Sequence, residues 1–136
     1  PEELPMINGD PDRLEQVFIN LFVNARDAIE EKWGDSEYGK EDKKIQISGR
    51  TEKQFVIIEF CDTGPGIPKN LTDRIFEPFF TTKEAGKGTG LGLSISYGIV
   101  RDCGGEITLE ESSEGARFML KFPVRQENEE STDFNR

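Results

Sequence analysis

Apolar residues recur at helical spacing in two stretches of the chain. In the first, Asp10 is a candidate N-cap and Pro11 a candidate first helical residue. The apolar positions that follow are Leu14, Val17, Phe18, Leu21, Phe22, Ala25, Ala28 and Ile29. This spacing predicts one long amphipathic helix that ends near Trp33. The second stretch, with apolar residues at 91, 95, 99 and 100, predicts another helix that stops at the glycine pair 104–105.

Strand patterns occupy most of the remaining chain. Residues 45–47, 107–109 and 118–124 alternate between apolar and polar types, and residues 55–61 are almost continuously apolar, as in a central strand. A turn at residues 112–115 predicts a closing hairpin, and residues 4–7 predict a further short strand. The order of elements predicts an α+β fold: a mixed sheet with two long helices packed on one face.

Composition sets limits on partners and on chemistry. The 136 residues suit one folded domain, which we place at residues 1–125, followed by an acidic tail at 126–136 that we expect to be disordered. The net charge of −10 argues against nucleic-acid binding, and no apolar run is long enough to predict membrane contact. The chain has no histidine, so histidine-based catalysis within it is excluded.

The segment 62–68 (DTGPGIP) directly follows the predicted central strand. A buried carboxylate is unfavourable unless hydrogen-bond donors surround it, so Asp62 at this point indicates a function. Gly64 and Gly66 allow the backbone to turn sharply and a flat ligand to approach closely. Taken alone, the motif is equally compatible with an ordinary strand and tight turn.

A second glycine-rich segment, 86–93 (GKGTGLGL), leads straight into the second predicted helix. Backbone N–H groups at a helix N-terminus attract phosphate. The spacing differs from the Walker pattern and from the Rossmann turn. The aromatic-rich residues 76–83 (FEPFFTTK) precede it and suggest a mobile flap, although a small apolar cluster under a loop would give the same pattern.

Two asparagines lie one helical turn apart on the flank of the first apolar stripe. The amide oxygens of Asn20 and Asn24 are hard ligands suited to Mg²⁺ carried by phosphates. On their own, they are also compatible with a structural role at the edge of the core.

These segments together resemble the catalytic, ATP-binding domain of sensor histidine kinases, in the superfamily shared with gyrase, mismatch-repair ATPases and heat-shock chaperones. Residues 20–25 (NLFVNA) are similar to the asparagine box and residues 62–67 (DTGPGI) to the first glycine box. Residues 75–80 (IFEPFF) are similar to the phenylalanine box and residues 88–93 (GTGLGL) to the second glycine box. The resemblance implies a two-layer α/β sandwich of the Bergerat type.

The resemblance also implies roles for individual residues. Asp62 would accept a hydrogen bond from the adenine amino group, Asn24 with Asn20 would coordinate Mg²⁺, and residues 76–89 would form an ATP lid. The catalytic candidates are Asn20 and Lys83. The nucleotide-binding residues implied are Asn20, Asn24, Asp27, Ala28, Asp62, Gly64, Gly66, Ile67, Phe80, Lys83, Lys87, Gly88, Thr89, Gly90, Leu91, Gly92, Leu93 and Phe118.

Position 20 separates the branches of the superfamily. Relatives that hydrolyse ATP, and the serine-kinase branch, have a glutamate four residues before the metal asparagine, whereas this chain has Asn20, which cannot act as a base. The histidine-kinase branch is therefore favoured. Two features depart from common family patterns: Asp27 and Ala28 stand where some members have a basic or aromatic residue, and Gly115-Ala116 stands where many have Gly-Thr.

The function implied is binding of Mg²⁺-ATP and transfer of the γ-phosphoryl group to a histidine on an upstream dimerisation segment of a two-component kinase. The expected partners are that segment and a response regulator, in a homodimeric parent protein. A cytoplasmic location is expected for this domain, whether or not other segments anchor the parent in a membrane. The alternative function is a nucleotide-binding regulatory module that transfers no phosphate.

Overall fold

A computed structural model describes residues 7, 9–34, 43–78, 92–112 and 114–125 of the chain. In these residues two helices pack on one face of a four-stranded sheet. The helices are α1 (Pro11–Trp33) and α2 (Gly92–Asp102), and a short 3₁₀ turn occupies Lys69–Leu71. The strands are β1 (Ile45–Glu52), β2 (Phe55–Asp62), β3 (Glu106–Glu110) and β4 (Arg117–Pro123). The predicted α+β class is confirmed.

Helix α1 begins and ends where the sequence predicts. Asp10 is extended, and its Oδ1 accepts a hydrogen bond from the Asp12 backbone N–H at 2.9 Å, with Pro11 in the first turn. At the other end, Gly34 has a φ of 67°, and its N–H donates to the Glu30 carbonyl oxygen at 2.8 Å. The caps therefore fix the length of the helix that carries both asparagines.

The strand order is β1-β2-β4-β3, and each neighbouring pair is antiparallel. The prediction of a mixed sheet is therefore wrong for the described strands, because β1–β2 and β3–β4 are hairpins and β4 returns antiparallel beside β2. Strand β1 is also longer than predicted, since its pairing with β2 continues through polar residues as far as the Lys53-Gln54 turn. Of the predicted strand at 4–7, Ile7 forms an isolated bridge with Val124, and residues 4–6 lie outside the described residues.

The core lies between the helices and the sheet. The rings of Phe18 on α1 and Phe60 on β2 stack with centroids 5.8 Å apart. The most deeply buried apolar side chains are Val17, Leu21, Val100, Leu120 and Phe122. The two helices lie side by side and antiparallel. Accordingly, Arg13 near the start of α1 forms a 2.8 Å ion pair with Asp102 at the end of α2.

The face of the sheet opposite the helices carries charged side chains. Glu59 in the middle of β2 is buried, and its two carboxylate oxygens contact Arg50 of β1 and Arg117 of β4. The hydrogen bond from Arg117, together with the positive charges of both arginines, lowers the pKa of Glu59. These two ion pairs explain how the central strand tolerates a buried carboxylate at Glu59.

Of the helices that the structure describes, none is long and apolar enough to cross a membrane. The predicted acidic tail, residues 126–136, lies outside the described residues.

Candidate functional site

Asp62 is the last residue of β2, and its side chain is only 6% exposed. Its Oδ1 accepts two backbone hydrogen bonds, from Gly64 N at 2.8 Å and from Ala116 N at 3.2 Å. Burial raises the pKa of this carboxyl group, and the two N–H donors act in the opposite direction. Since both donors from the described residues bind Oδ1, Oδ2 is the oxygen left to accept a hydrogen bond from a ligand.

Gly115 lies against Asp62 so closely that a side chain cannot fit. Its φ is 60°, and a Cβ at this position would lie 2.0 Å from the Asp62 carbonyl oxygen and 2.7 Å from Oδ1. The next residue, Ala116, exchanges two hydrogen bonds with Asp62 through its backbone, one of them from Asp62 N to Ala116 O at 3.0 Å. Gly115 was not among the predicted site residues, although the Gly115-Ala116 pair stands out in the sequence; its contact with Asp62 depends on the pairing of β2 with β4.

Gly64 brings the turn after β2 against helix α1. A Cβ on Gly64 would lie 2.8 Å from the Cβ of Ala28 and 2.9 Å from its backbone carbonyl carbon. The structure therefore brings together three of the predicted residues: Asp62, Gly64 and Ala28. Gly66, with a φ of 79°, and the half-buried Ile67 continue the same turn.

Trp33 supports this turn from the end of α1, a role that the sequence pattern did not suggest. Its Nε1–H donates to the Thr63 carbonyl oxygen at 2.9 Å, directly after Asp62. Thr63 is held on the other side by Lys44, whose backbone N–H donates to Thr63 Oγ1 at 2.9 Å. Thus Thr63, the residue directly after Asp62, is hydrogen-bonded both to the end of α1 and to the residue before β1.

The two candidate metal ligands differ in their surroundings. Asn20 donates from Nδ2 to the Gly92 carbonyl oxygen at 3.3 Å and to Ser96 Oγ at 3.2 Å, and its Oδ1 accepts from Gln16 at 2.8 Å. Asn24 is half-buried, and the structure shows no hydrogen bond from its side chain to another described residue. Asn24 thus presents an amide that a ligand can use, whereas Asn20 joins α1 to the start of α2.

The residues before the predicted lid are anchored in the core. Ile75 is 3% exposed, and the ring of Phe76 contacts Tyr97 and Phe118 with centroids 5.4 and 6.3 Å away. Phe118, predicted to bind nucleotide, is itself buried in the core and contacts Phe76 from β4. Helix α2 begins with two of the predicted residues, Gly92 and Leu93, both half-buried.

The remaining predicted site residues are Asp27 and a set that lies outside the described part of the chain. Asp27 is half-buried and forms an ion pair with Arg26. Lying outside the described residues are Phe80, Lys83, Lys87, Gly88, Thr89, Gly90 and Leu91. Their assigned roles remain predictions.

Comparison with known proteins finds a family that matches most of the chain. Residues 9–126 match the family described as "Histidine kinase-, DNA gyrase B-, and HSP90-like ATPase". The two-component sensor PprA of Pseudomonas aeruginosa is 43% identical over 124 residues, covering 91% of this chain and 13% of that protein.

Two solved structures show the same fold. Full-length ShkA in complex with AMPPNP is 28% identical with a TM-score of 0.72, covering 90% of this chain and 24% of that one. Histidine kinase ThkA in complex with the response regulator protein TrrA is 34% identical with a TM-score of 0.68, covering 92% and 32%.

The fold and the site thus define a domain of the ATP-binding type, built around a buried acid after a central strand. The chain belongs to the histidine kinase-, gyrase B- and HSP90-like ATPase family. Among the proteins similar to it, PprA is a two-component sensor and ThkA is a histidine kinase. It spans 13% of the length of PprA.

The Trp33 hydrogen bond predicts a measurable effect on nucleotide affinity. Trp33→Phe keeps an aromatic ring but removes the donor to Thr63, so we expect ATP binding to weaken by about 0.5–1.5 kcal/mol, the usual scale for one hydrogen bond. Lys32→Gln is the matched control: it removes the cation 5.1 Å from the Trp33 ring and leaves the hydrogen bond intact. Calorimetry that finds equal losses in the two variants would contradict this role for Trp33.

Proposed function

We propose that this chain binds Mg²⁺-ATP and transfers the γ-phosphoryl group to a histidine, as the kinase domain of a two-component signalling protein. The observation that carries the proposal is the Asp62 carboxylate, which is buried at the end of β2 and fixed through Oδ1 by two backbone donors. The family match, the similarity to the two-component sensor PprA and the similarity to histidine kinase ThkA support it.

The geometry of Asp62 favours adenine over guanine. An ionised carboxylate accepts hydrogen bonds and donates none, so its Oδ2 suits the exocyclic amino group of adenine. Guanine would place a carbonyl oxygen at the equivalent position, and the two acceptors would repel each other. Gly64 lets the turn that follows Asp62 pack directly against Ala28 of α1, because a Cβ at this position would lie 2.8 Å from the Ala28 Cβ.

Asn24 and Asn20 are the residues that would hold Mg²⁺. The donor chemistry fits, because neutral amide oxygens complement an ion whose other ligands are phosphate oxygens and water. Mg²⁺ would neutralise charge on the phosphates. Asn24 is the better placed of the two, since Asn20 Oδ1 already accepts a hydrogen bond from Gln16.

The residues of the chain contribute positioning rather than acid–base chemistry. Asn20 has no proton-accepting group comparable to a carboxylate, and the chain contains no histidine, so the acceptor imidazole must come from another segment or another chain. We place it on a dimerisation segment of a homodimeric, cytoplasmic kinase region. A response regulator would then receive the phosphoryl group; the neighbour ThkA was solved with such a protein. Lys83, outside the described residues, is the proposed contact for the γ-phosphate.

The test of base recognition is Asp62→Asn. An amide can still accept from Gly64 N and Ala116 N through its oxygen, but its other atom becomes a donor facing the adenine amino group. We expect ATP affinity to fall by about 1.5–3 kcal/mol, the scale for a hydrogen bond to a charged group. The native chain should bind GTP much more weakly than ATP. Equal affinities for ATP and GTP, measured by calorimetry, would overturn the role of Asp62.

The same substitution separates binding from stability. Burial makes the pKa of Asp62 higher in the folded chain than the usual carboxyl value of 3.8, so folding favours the protonated form more than the unfolded chain does. This contribution to stability is present at low pH and is lost as pH rises through the raised pKa, above which the carboxylate is ionised. At neutral pH, Asp62→Asn should therefore leave the free energy of unfolding unchanged or higher while ATP affinity falls. A large loss of stability in urea unfolding would indicate a structural role instead.

Phosphotransfer is tested with radiolabelled ATP and a separately supplied histidine-bearing dimerisation segment. Acid-labile label should appear slowly on that segment and faster when the two are joined, because a tether raises the effective concentration. ATP binding without transfer at any concentration would favour a regulatory module.

A further inference from the structure

A pocket of about 720 Å³ opens beside the candidate site. It lies between the turn that follows β2 and the β3–β4 hairpin, and its size is typical of small-molecule sites. Apolar side chains of Ile67, Leu109 and Ala116 form part of its lining. The polar residues that line it are Lys69, Thr72, Glu110, Glu111 and Ser112.

The inner wall of this pocket is the backbone that holds Asp62. Ala116 lines the pocket, and its N–H donates to Asp62 Oδ1 at 3.2 Å. Gly115 lines it as well and lies in contact with the same carboxylate. A Cβ on Gly66 would lie 3.0 Å from the Gly115 carbonyl oxygen, so the turn carrying Ile67 closes onto this wall. A group bound to Asp62 would therefore lie next to this wall, which we take as the entrance to the pocket.

The side chain at position 116 keeps that entrance open. Ala116 is 7% exposed and contributes only a methyl group, while its backbone supplies the hydrogen bonds to Asp62. A longer side chain at this position would take up part of the pocket that Ile67 and Leu109 also line. The pocket thus has an apolar part, formed by Ile67, Leu109 and Ala116, beside its polar residues.

On the basis of the proposed function, we infer that this pocket is a subsite for a substituent on the exocyclic amine of adenine. The chain should accept N6-monosubstituted ATP carrying an apolar ring. A secondary amine keeps one N–H to donate to Asp62, and its substituent is directed past Ala116 toward Ile67 and Leu109. A tertiary amine has no N–H and loses the hydrogen bond to the carboxylate.

Calorimetry on the whole chain with ATP, N6-benzyl-ATP and N6,N6-dimethyl-ATP tests the inference. N6-benzyl-ATP should bind within about threefold of ATP, whereas the dimethyl analogue should bind at least about tenfold more weakly, as expected for a lost hydrogen bond to a charged group. Binding of N6-benzyl-ATP about 100-fold weaker than that of ATP would overturn the inference and leave the proposed function standing. Failure to bind ATP would overturn the proposed function, and this inference with it.

Two variants locate the ring. Thr72→Phe fills the pocket from its rim and should weaken N6-benzyl-ATP at least about tenfold, a usual cost for excess volume in a pocket, without changing ATP affinity. Thr51→Phe makes the same change at an exposed site on β1 and should change the affinity for neither ligand.

Ala116→Val narrows the entrance from the wall and should also reduce the affinity for N6-benzyl-ATP relative to that for ATP. Unchanged N6-benzyl-ATP affinity in both pocket variants would place the ring elsewhere and overturn the inference.

Discussion

Replacing Gly115 by alanine is expected to disrupt both the stability of the domain and its nucleotide site. The new Cβ would lie 2.0 Å from the Asp62 carbonyl oxygen, which belongs to the backbone and cannot rotate away. The φ of 60° adds strain for any residue with a side chain. Together these effects should lower the free energy of unfolding by about 3 kcal/mol or more, and the displaced carboxylate should bind ATP poorly.

Gly98→Ala provides the matched control. Gly98 lies in the middle of α2, and a Cβ there would meet no heavy atom within 4 Å beyond the local helix backbone. Because alanine is the better helix former, this variant should keep its ATP affinity and gain up to about 1 kcal/mol of stability. Urea unfolding and calorimetry on the two variants make the comparison. A Gly115→Ala protein as stable as the native chain would show that Asp62 and Gly115 are not in contact.

The elements that depend on local sequence were predictable. Asp10, Pro11 and Gly34 act only on the helix next to them, so the bounds of α1 follow from cap chemistry. The continuous apolar run of β2 placed it in the centre of the sheet, where it pairs with β1 and β4. In contrast, strand direction depends on how the connections fold, and the sequence pattern did not reveal that all the described pairs are antiparallel.

The groups that support Asp62 were harder to predict for the same reason. Asp62 itself is recognisable because it follows an apolar strand and precedes two glycines. Trp33, which donates to the adjacent Thr63, lies 29 residues before Asp62, and Gly115, which contacts Asp62, lies 53 residues after it. Only the packing of α1 and β4 against β2 brings these residues together. Sequence motifs show which side chain acts, but contacts distant in sequence depend on the whole fold.

The contrast between Asn20 and Asn24 illustrates a further limit. The sequence pattern assigns both asparagines to Mg²⁺, because they lie one turn apart on the same flank of α1. The structure gives Asn20 hydrogen bonds to Gly92 and Ser96, and Ser96 is fully buried. One residue of the motif thus joins the helices, and the spacing alone does not distinguish this role from metal binding.

Asn24→Ala should therefore abolish the dependence of ATP affinity on Mg²⁺ while the domain remains folded. The Asn24 amide makes no hydrogen bond to another described residue, so its removal should change the free energy of unfolding little. Loss of a direct metal ligand should weaken Mg²⁺-ATP binding more than about 100-fold, beyond the 10–100-fold range typical of residues that only support a ligand. Calorimetry with ATP in the presence of Mg²⁺ and of a chelator measures this directly.

Asn20→Ala tests the other half of the distinction. It should lower the free energy of unfolding by about 1–3 kcal/mol, because the buried Ser96 hydroxyl loses a hydrogen-bond partner. Its effect on Mg²⁺-ATP affinity should be smaller than that of Asn24→Ala, since the Asn20 Oδ1 accepts from Gln16 in the ligand-free structure. Should Asn24→Ala bind Mg²⁺-ATP as tightly as the native chain while Asn20→Ala does not, the two assignments would have to be exchanged.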